Sequence, residues 1–174
     1  WRGESLANVA PVARECYSIN LSDEEMAKMG LGEKYHKQHF FFSKKFQNIK
    51  YVRANSLTLD WNSLGTKFDL IFVDGDHHYD AVKSDTENAF KVLKDENSII
   101  VWHDYGKSPE EVRWEVMKAI LDGAPEEKGK HIYHVANTLC AIYINKTFET
   151  TFIDYPATPA KSFEVKVELA NIVV

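Results

Sequence analysis

Cysteine is nearly absent: the 174 residues hold two, Cys16 and Cys140, far apart and in no CxxC pair. Both lie in strand-like segments and read as buried thiols, not as metal ligands or disulfide partners. Free thiols suit a reducing compartment, so a cytoplasmic location is expected. Long apolar runs are missing too. No stretch reaches the roughly eighteen residues of a membrane-spanning helix, so no membrane partner is expected. The opening WRGESLANVA has neither a basic start nor a continuous apolar core, and no signal peptide is expected. Positive charge is not in excess: 21 Lys and Arg against 26 Asp and Glu leave a net charge of −5. That balance argues against nucleic acid or an anionic membrane surface as the main partner. Internal repeats and low-complexity segments are also lacking. What remains is ordinary for a globular chain, 44% hydrophobic and 27% charged, with length for one domain and a sizeable core.

The richest stretch is FDLIFVDGDHHYDAV, Phe68 to Val82. The apolar run Leu70-Ile71-Phe72-Val73 reads as a strand buried on both faces. It ends abruptly in Asp74-Gly75-Asp76-His77-His78, and a helical pattern follows. A second buried strand, Ser98 to Trp102, ends in His103-Asp104-Tyr105. Open α/β sheets build their sites from polar residues at the carboxyl ends of strands, so these two ends are expected to converge on one ligand, metal or substrate.

The remaining elements follow from periodicity and punctuation. Gly3 to Arg14 reads as a helix, shortened or kinked by Pro11, and Glu15 to Ile19 as a strand ending at Asn20. Ser22 and Glu25 form a capping-box pattern opening a short helix that stops near Gly30 and Gly32. Lys34 to Asn48 is basic and aromatic around Phe40-Phe41-Phe42, and is expected to be a helix packed on the sheet, with a substrate lid as the alternative. Ile49 to Arg53 is a strand, and Tyr79 to Leu93 a helix with Asp85 and Glu87 on a face where they are expected to be solvated or capping. A helix is expected over Pro109 to Leu121, with Val112 inward, then a closing strand pair over His131–Val135 and Leu139–Ile144. Strands alternating with helices predict a doubly wound, mostly parallel α/β sheet. Residues 1–145 are expected to form that domain. Residues 146–174 are a C-terminal extension whose alternating Phe163, Val165, Val167 and Leu169 read as one more strand, able to pair across a homodimer edge.

The order strand, FVDGDHHY, helix, strand, WHDY resembles the second half of class I S-adenosylmethionine-dependent methyltransferases, a Rossmann-like fold, and in particular methyltransferase family 24. DLIFVDGDHHYDAVKSDTENAFKVL and IIVWHDYG carry the resemblance most specifically, and it extends over roughly Trp1 to Asn145. WRGESLANVA is similar to the residues just after the family's glycine-rich cofactor loop, with Gly3 as its last glycine. The family's first strand and most of that loop have no counterpart here, so the sequence is expected to be part of a longer product.

The resemblance implies S-adenosylmethionine as cofactor, contacted by Gly3, Asn20, Leu21, Asn55, Ser56, Asp74 and Gly75. Asn20 stands where the family usually has an acidic residue for the ribose hydroxyls; it keeps the hydrogen bonding and loses the charge. The implied reaction is methyl transfer to a hydroxyl of a small molecule or sugar, with His77, Asp74 and Asp104 catalytic. Some related sugar and antibiotic O-methyltransferases hold a metal at these two strand ends, and that resemblance implies Mg²⁺ on Asp74, Asp104 and His103, with His77 as base. Asp74 contacting the methionine part of the cofactor, and Asp104 capping the following loop, is the reading without a metal. Two other functions stay open: a degenerate domain that binds a ligand or partner without catalysis, and a metal-dependent hydrolase, for which further well-placed ligands are wanting.

Overall fold

The computed structural model describes residues 2–107 and 111–151, with Glu164, Lys166 and Glu168. The expected first turn at Pro109 and most of the tail strand Phe163 to Leu169 lie outside the described residues. The elements run α1 (Glu4–Val9), β1 (Cys16–Asn20), α2 (Asp23–Lys28), α3 (Glu33–Gln38), β2 (Ile49–Arg53), a 3₁₀ turn (Trp61–Leu64), β3 (Leu70–Val73), α4 (Tyr79–Lys91), β4 (Ile99–Trp102), α5 (Trp114–Gly123), α6 (Glu126–Gly129), β5 (Ile132–His134) and β6 (Ala141–Tyr143). Both halves of the capping box form at α2: Ser22 Oγ accepts from the Glu25 amide, and Glu25 accepts from the Ser22 amide.

The fold is α/β with parallel strand pairs, as the alternation predicts. The single sheet expected from it is instead two. β1 pairs with β2 in parallel, and the second sheet runs β3-β4-β6-β5, parallel between β3 and β4 and antiparallel beyond. Among the described residues no strand lies between β1 and β3. Tyr17 of β1 meets Phe68, just before β3, edge to face with ring centres 5.2 Å apart. β3 is not buried on both faces. Ile71 and Val73 pack on the core, while Leu70 and Phe72 are 49% and 43% exposed.

The main core lies where α4 and α5 pack on β3, β4 and β6. Ile100, Trp102, Ala119, Ile120, Ala141 and Tyr143 are its buried centre, each large aliphatic or aromatic side chain contributing about 1.5–3 kcal/mol by burial. The Trp102 indole N–H donates to Thr86 Oγ1 at 3.0 Å, so the largest core residue leaves no orphaned donor. A second, smaller cluster joins Ala10, Cys16 and Ile49 to Leu6, Phe46 and Tyr51, fastening α1 to β1 and β2. Cys16 is buried as expected; Cys140 is only half-buried.

Three local expectations change. The helix over Lys34 to Asn48 stops at Gln38, because Phe40 takes a left-handed backbone (φ 59°) and turns follow. Only Phe40 of the three phenylalanines is buried, packed on Tyr51 at 4.2 Å. α5 begins at Trp114, not Pro109, and Val112 precedes it, in an antiparallel bridge to Gly106. α1 ends at Val9, and Pro11 falls in the turns beyond it. No helix among the described residues is long and apolar enough to cross a membrane.

Candidate active site

The parallel register of β3 and β4 sets Val73 beside Trp102, and the His103 amide donates to Val73 O at 3.0 Å. The two polar strand ends therefore emerge side by side, as the sequence implied. A small cleft between them is lined by Asp74, Gly75, His77, Trp102 and His103.

Asp104 is the centre of this site. It is 6% exposed and adopts a left-handed backbone (φ 62°), a conformation that Asp tolerates better than most residues. The turn aims its carboxylate back across the strand ends. Oδ2 takes His77 Nε2 and His103 Nδ1, each at 2.8 Å, and Oδ1 takes Arg113 Nη2 at 3.3 Å. His103 Nδ1 also lies 3.3 Å from Asp74 Oδ1. A carboxylate nearly removed from water is here surrounded by donors, as a buried charge requires.

Arg113 was not legible in the sequence. It is carried back over the site by a short hairpin: Gly106 bridges Val112, the Lys107 amide donates to Glu111 O at 3.0 Å, and the Arg113 amide donates to Tyr105 O at 3.3 Å. Gly106 (φ 151°) permits this approach, since a Cβ there would stand 2.9 Å from the Val112 Cα. Beyond Asp104, Arg113 Nη1 lies 3.3 Å from His77 Nδ1. Donor atoms of Asp74, His77 and Asp104 gather within 4.8 Å of one another, a set of two carboxylates and one imidazole suited to a divalent cation. His103 stands beside this set, facing both carboxylates through Nδ1.

His78 caps α4 by position only, with its ring on Asp76, which holds the imidazole pKa above its ordinary value. The first free amide of α4, on Tyr79, is satisfied by Glu115 Oε1 at 3.0 Å.

The residues assigned to the cofactor divide into two groups. Asp74 and Gly75 belong to the cleft. Asn20, Leu21, Asn55 and Ser56 sit at the ends of β1 and β2, where Asn20 pairs in register with Arg53. Asn20 Nδ2 donates to Ser18 Oγ at 2.7 Å, and Asn55 Oδ1 accepts from the Leu57 amide at 3.0 Å, making a local turn. Arg53 donates to the Leu21 carbonyl at 3.5 Å and to His39 Nδ1 at 2.6 Å, and its guanidinium lies 4.6 Å above the Phe40 ring. Burial, then the Arg53 charge, pushes the His39 pKa down to about 4. Gly3 stands apart from both groups: it is the N-cap of α1 (φ 86°) and is seated against buried Ser43.

Asp85 departs from the solvated role expected of it. It is buried, its Oδ1 has no partner among the described residues, and burial pushes its pKa up. Its spacing carried the signal, since Ala81, Val82, Asp85 and Ala89 fall on one helical face. Ser56 is hydrogen-bonded to it, and a Cβ on Gly75 would stand 3.3 Å from its Oδ2. Asp85 thus joins the loop after β2 to the loop after β3.

A family model described as a methyltransferase domain matches residues 1–105. Curated proteins give no match. Among solved structures, an O-methyltransferase family protein from Burkholderia thailandensis aligns with a TM-score of 0.43 at 9% identity, over 80% of this chain and 54% of that one. EvdMO1 aligns with a TM-score of 0.37 at 18% identity, over 81% of this chain and 38% of that one. The chain thus spans about half, or less, of these two solved structures. The family match runs from the first residue through α1, both parallel pairs and the Asp74–His77–Asp104 site, well over half of the chain, and by it the chain belongs to the methyltransferase-domain family numbered 24.

Proposed function

We propose that this chain is the catalytic part of an S-adenosylmethionine-dependent methyltransferase that acts on a hydroxyl of a small molecule or sugar. The observation that carries the reading is the buried Asp104 carboxylate holding His77 at 2.8 Å, at the ends of two adjacent parallel strands. Asp104 accepts from Nε2 and orients the ring, leaving Nδ1 as the nitrogen that takes a proton from a substrate hydroxyl. The hydroxyl oxygen, as its proton leaves, becomes the nucleophile. Bound S-adenosylmethionine supplies the electrophilic methyl group. The loops of Asn55–Ser56 and Asp74–Gly75, joined through Asp85, are the parts of the chain that would bind and orient it.

Asp74 and Asp104, with His77 or His103 beside them, would hold a divalent cation such as Mg²⁺. Such an ion acidifies and orients a hydroxyl when bound. Its donor set fits, and the ring of donors already around Asp104 means that the protein can stabilise this carboxylate with or without it.

The test is calorimetric titration of S-adenosylmethionine and S-adenosylhomocysteine into the longest chain the gene allows, with and without Mg²⁺. Saturable binding of both supports the reading, and His77→Ala is then expected to lower methyl transfer by about 10²–10⁴-fold while cofactor affinity stays unchanged. No binding to a well-folded sample would sink it.

A further inference from the structure

The nitrogen that the proposed base must use is covered. His77 has two ring nitrogens, and both are engaged: Nε2 with Asp104 at 2.8 Å and Nδ1 with Arg113 Nη1 at 3.3 Å. A guanidinium has five N–H donors and no acceptor, and it stays charged. Nδ1 facing it must therefore carry a lone pair. Nε2, facing a carboxylate, must carry the hydrogen. The two contacts together specify one neutral tautomer, and protonation of Nδ1 would set a new N–H, on a cationic ring, against the guanidinium.

We infer that Arg113 is a positioning residue for His77: it shields Nδ1, the basic nitrogen that the Asp104 contact leaves, in the ligand-free chain, so that His77 acts as a base only once the guanidinium has moved off. The inference rests on the reading of His77 as the base. Its geometry favours a movable shield. The Arg113 side chain is 54% exposed while the Asp104 it also binds is buried, so the guanidinium can leave towards solvent without unpacking the core. Asp104 keeps His77 and His103 on Oδ2 when Arg113 departs, so the carboxylate stays compensated and the imidazole stays oriented. The hairpin that brings Arg113 over the site is held by backbone bonds between Tyr105–Lys107 and Glu111–Arg113, so the side chain alone has to swing.

The experiment reads the His77 nitrogens directly, without methyl transfer. Nitrogen-15 chemical shifts of the histidine rings report the tautomer, and diethyl pyrocarbonate modifies an accessible unprotonated ring nitrogen. In the unsubstituted chain His77 is expected in the Nε2–H form and to react slowly. In Arg113→Gln the Asp104 contact should keep the Nε2–H form, while modification at His77, located by mass spectrometry, should speed up about tenfold. Arg113→Lys, which keeps a charge near Asp104 and loses the second reach, should fall between the two, and it carries the test if the glutamine variant does not fold. An Nδ1–H ring in the unsubstituted chain, or equal modification rates in all three proteins, would overturn the inference. Because no cofactor or acceptor is present, a chain that binds no S-adenosylmethionine still gives this result, so failure of the methyltransferase reading and failure of the shield are told apart.

Discussion

The Ser56 hydroxyl is hydrogen-bonded to Asp85, so the loop that follows β2 is fastened to the middle of α4. The carboxyl that receives it has an oxygen with no partner among the described residues and almost no contact with water. An ionised group so placed costs stability, which is why burial raises its pKa. The folded chain thus holds a proton on Asp85 at pH values where the unfolded chain, near the ordinary 3.8, has lost it. Stability from this group is fully present below 3.8 and is lost as pH rises towards the raised folded value. Asp85→Asn keeps an acceptor for Ser56 and removes the charge. Its melting midpoint at pH 8 is expected about 2–4 °C above that of the parent, the shift that about 1 kcal/mol gives in a chain of this size, and the gap should close near pH 4. A lower midpoint at pH 8 would mean that the ionised carboxylate has a partner the fold needs.

His39 gives the opposite slope. Burial and then Arg53 hold its pKa near 4, and Arg53 donates to Nδ1, so the folded ring is neutral where the unfolded ring, near 6.5, takes a proton. Stability from this group is present above pH 6.5 and is lost as pH falls towards 4. With the ring only half-buried, solvent screening keeps the effect to the order of 1 kcal/mol. Urea unfolding at pH 7 and pH 4.5 should show the parent losing that much more than His39→Gln, which retains an acceptor for Arg53. A proton NMR titration that finds the His39 midpoint near 6.5 would remove the physical basis of the difference.

What the sequence made legible was local. The DGDHH and WHDY ends, the Ser22–Glu25 box and the inward Trp102 all follow from residues close together in the chain, where period and punctuation act directly. Arg113 reaches His77 across 36 residues through a hairpin, and nothing near either residue encodes that reach. β3 reads as doubly buried because its composition suits a central strand, yet only Ile71 and Val73 pack on the core, and Leu70 and Phe72 are exposed on the other face. Asp85 was read by its charge when its helical position was the better guide.

Gly3 separates a residue's resemblance from its local physics. Its match to the last glycine of a cofactor loop suggests a backbone kept bare for a ligand. The structure supplies a different reason. Gly3 has a φ of 86°, where a side chain is strained, and a Cβ built on it would lie 2.7 Å from the Ser43 Cβ and overlap the Ser43 hydroxyl. Ser43 has nowhere to retreat: it is fully buried, accepts from the Tyr51 hydroxyl at 3.0 Å and follows the left-handed turn at Phe40. Gly3→Ala should therefore destabilise the chain with no ligand present, by about 1–3 kcal/mol from backbone strain and more from the overlap. Pairing it with Ser43→Gly removes the side-chain overlap and leaves the strained φ, so the double variant should recover part of the loss and not all of it. Urea midpoints of the parent, both single variants and the pair give the coupling. If Gly3 served only to let a cofactor approach, Gly3→Ala would leave the ligand-free midpoint unchanged and Ser43→Gly would restore nothing. Additive losses at the two sites would refute the packing role of Gly3, since residues that clash must couple.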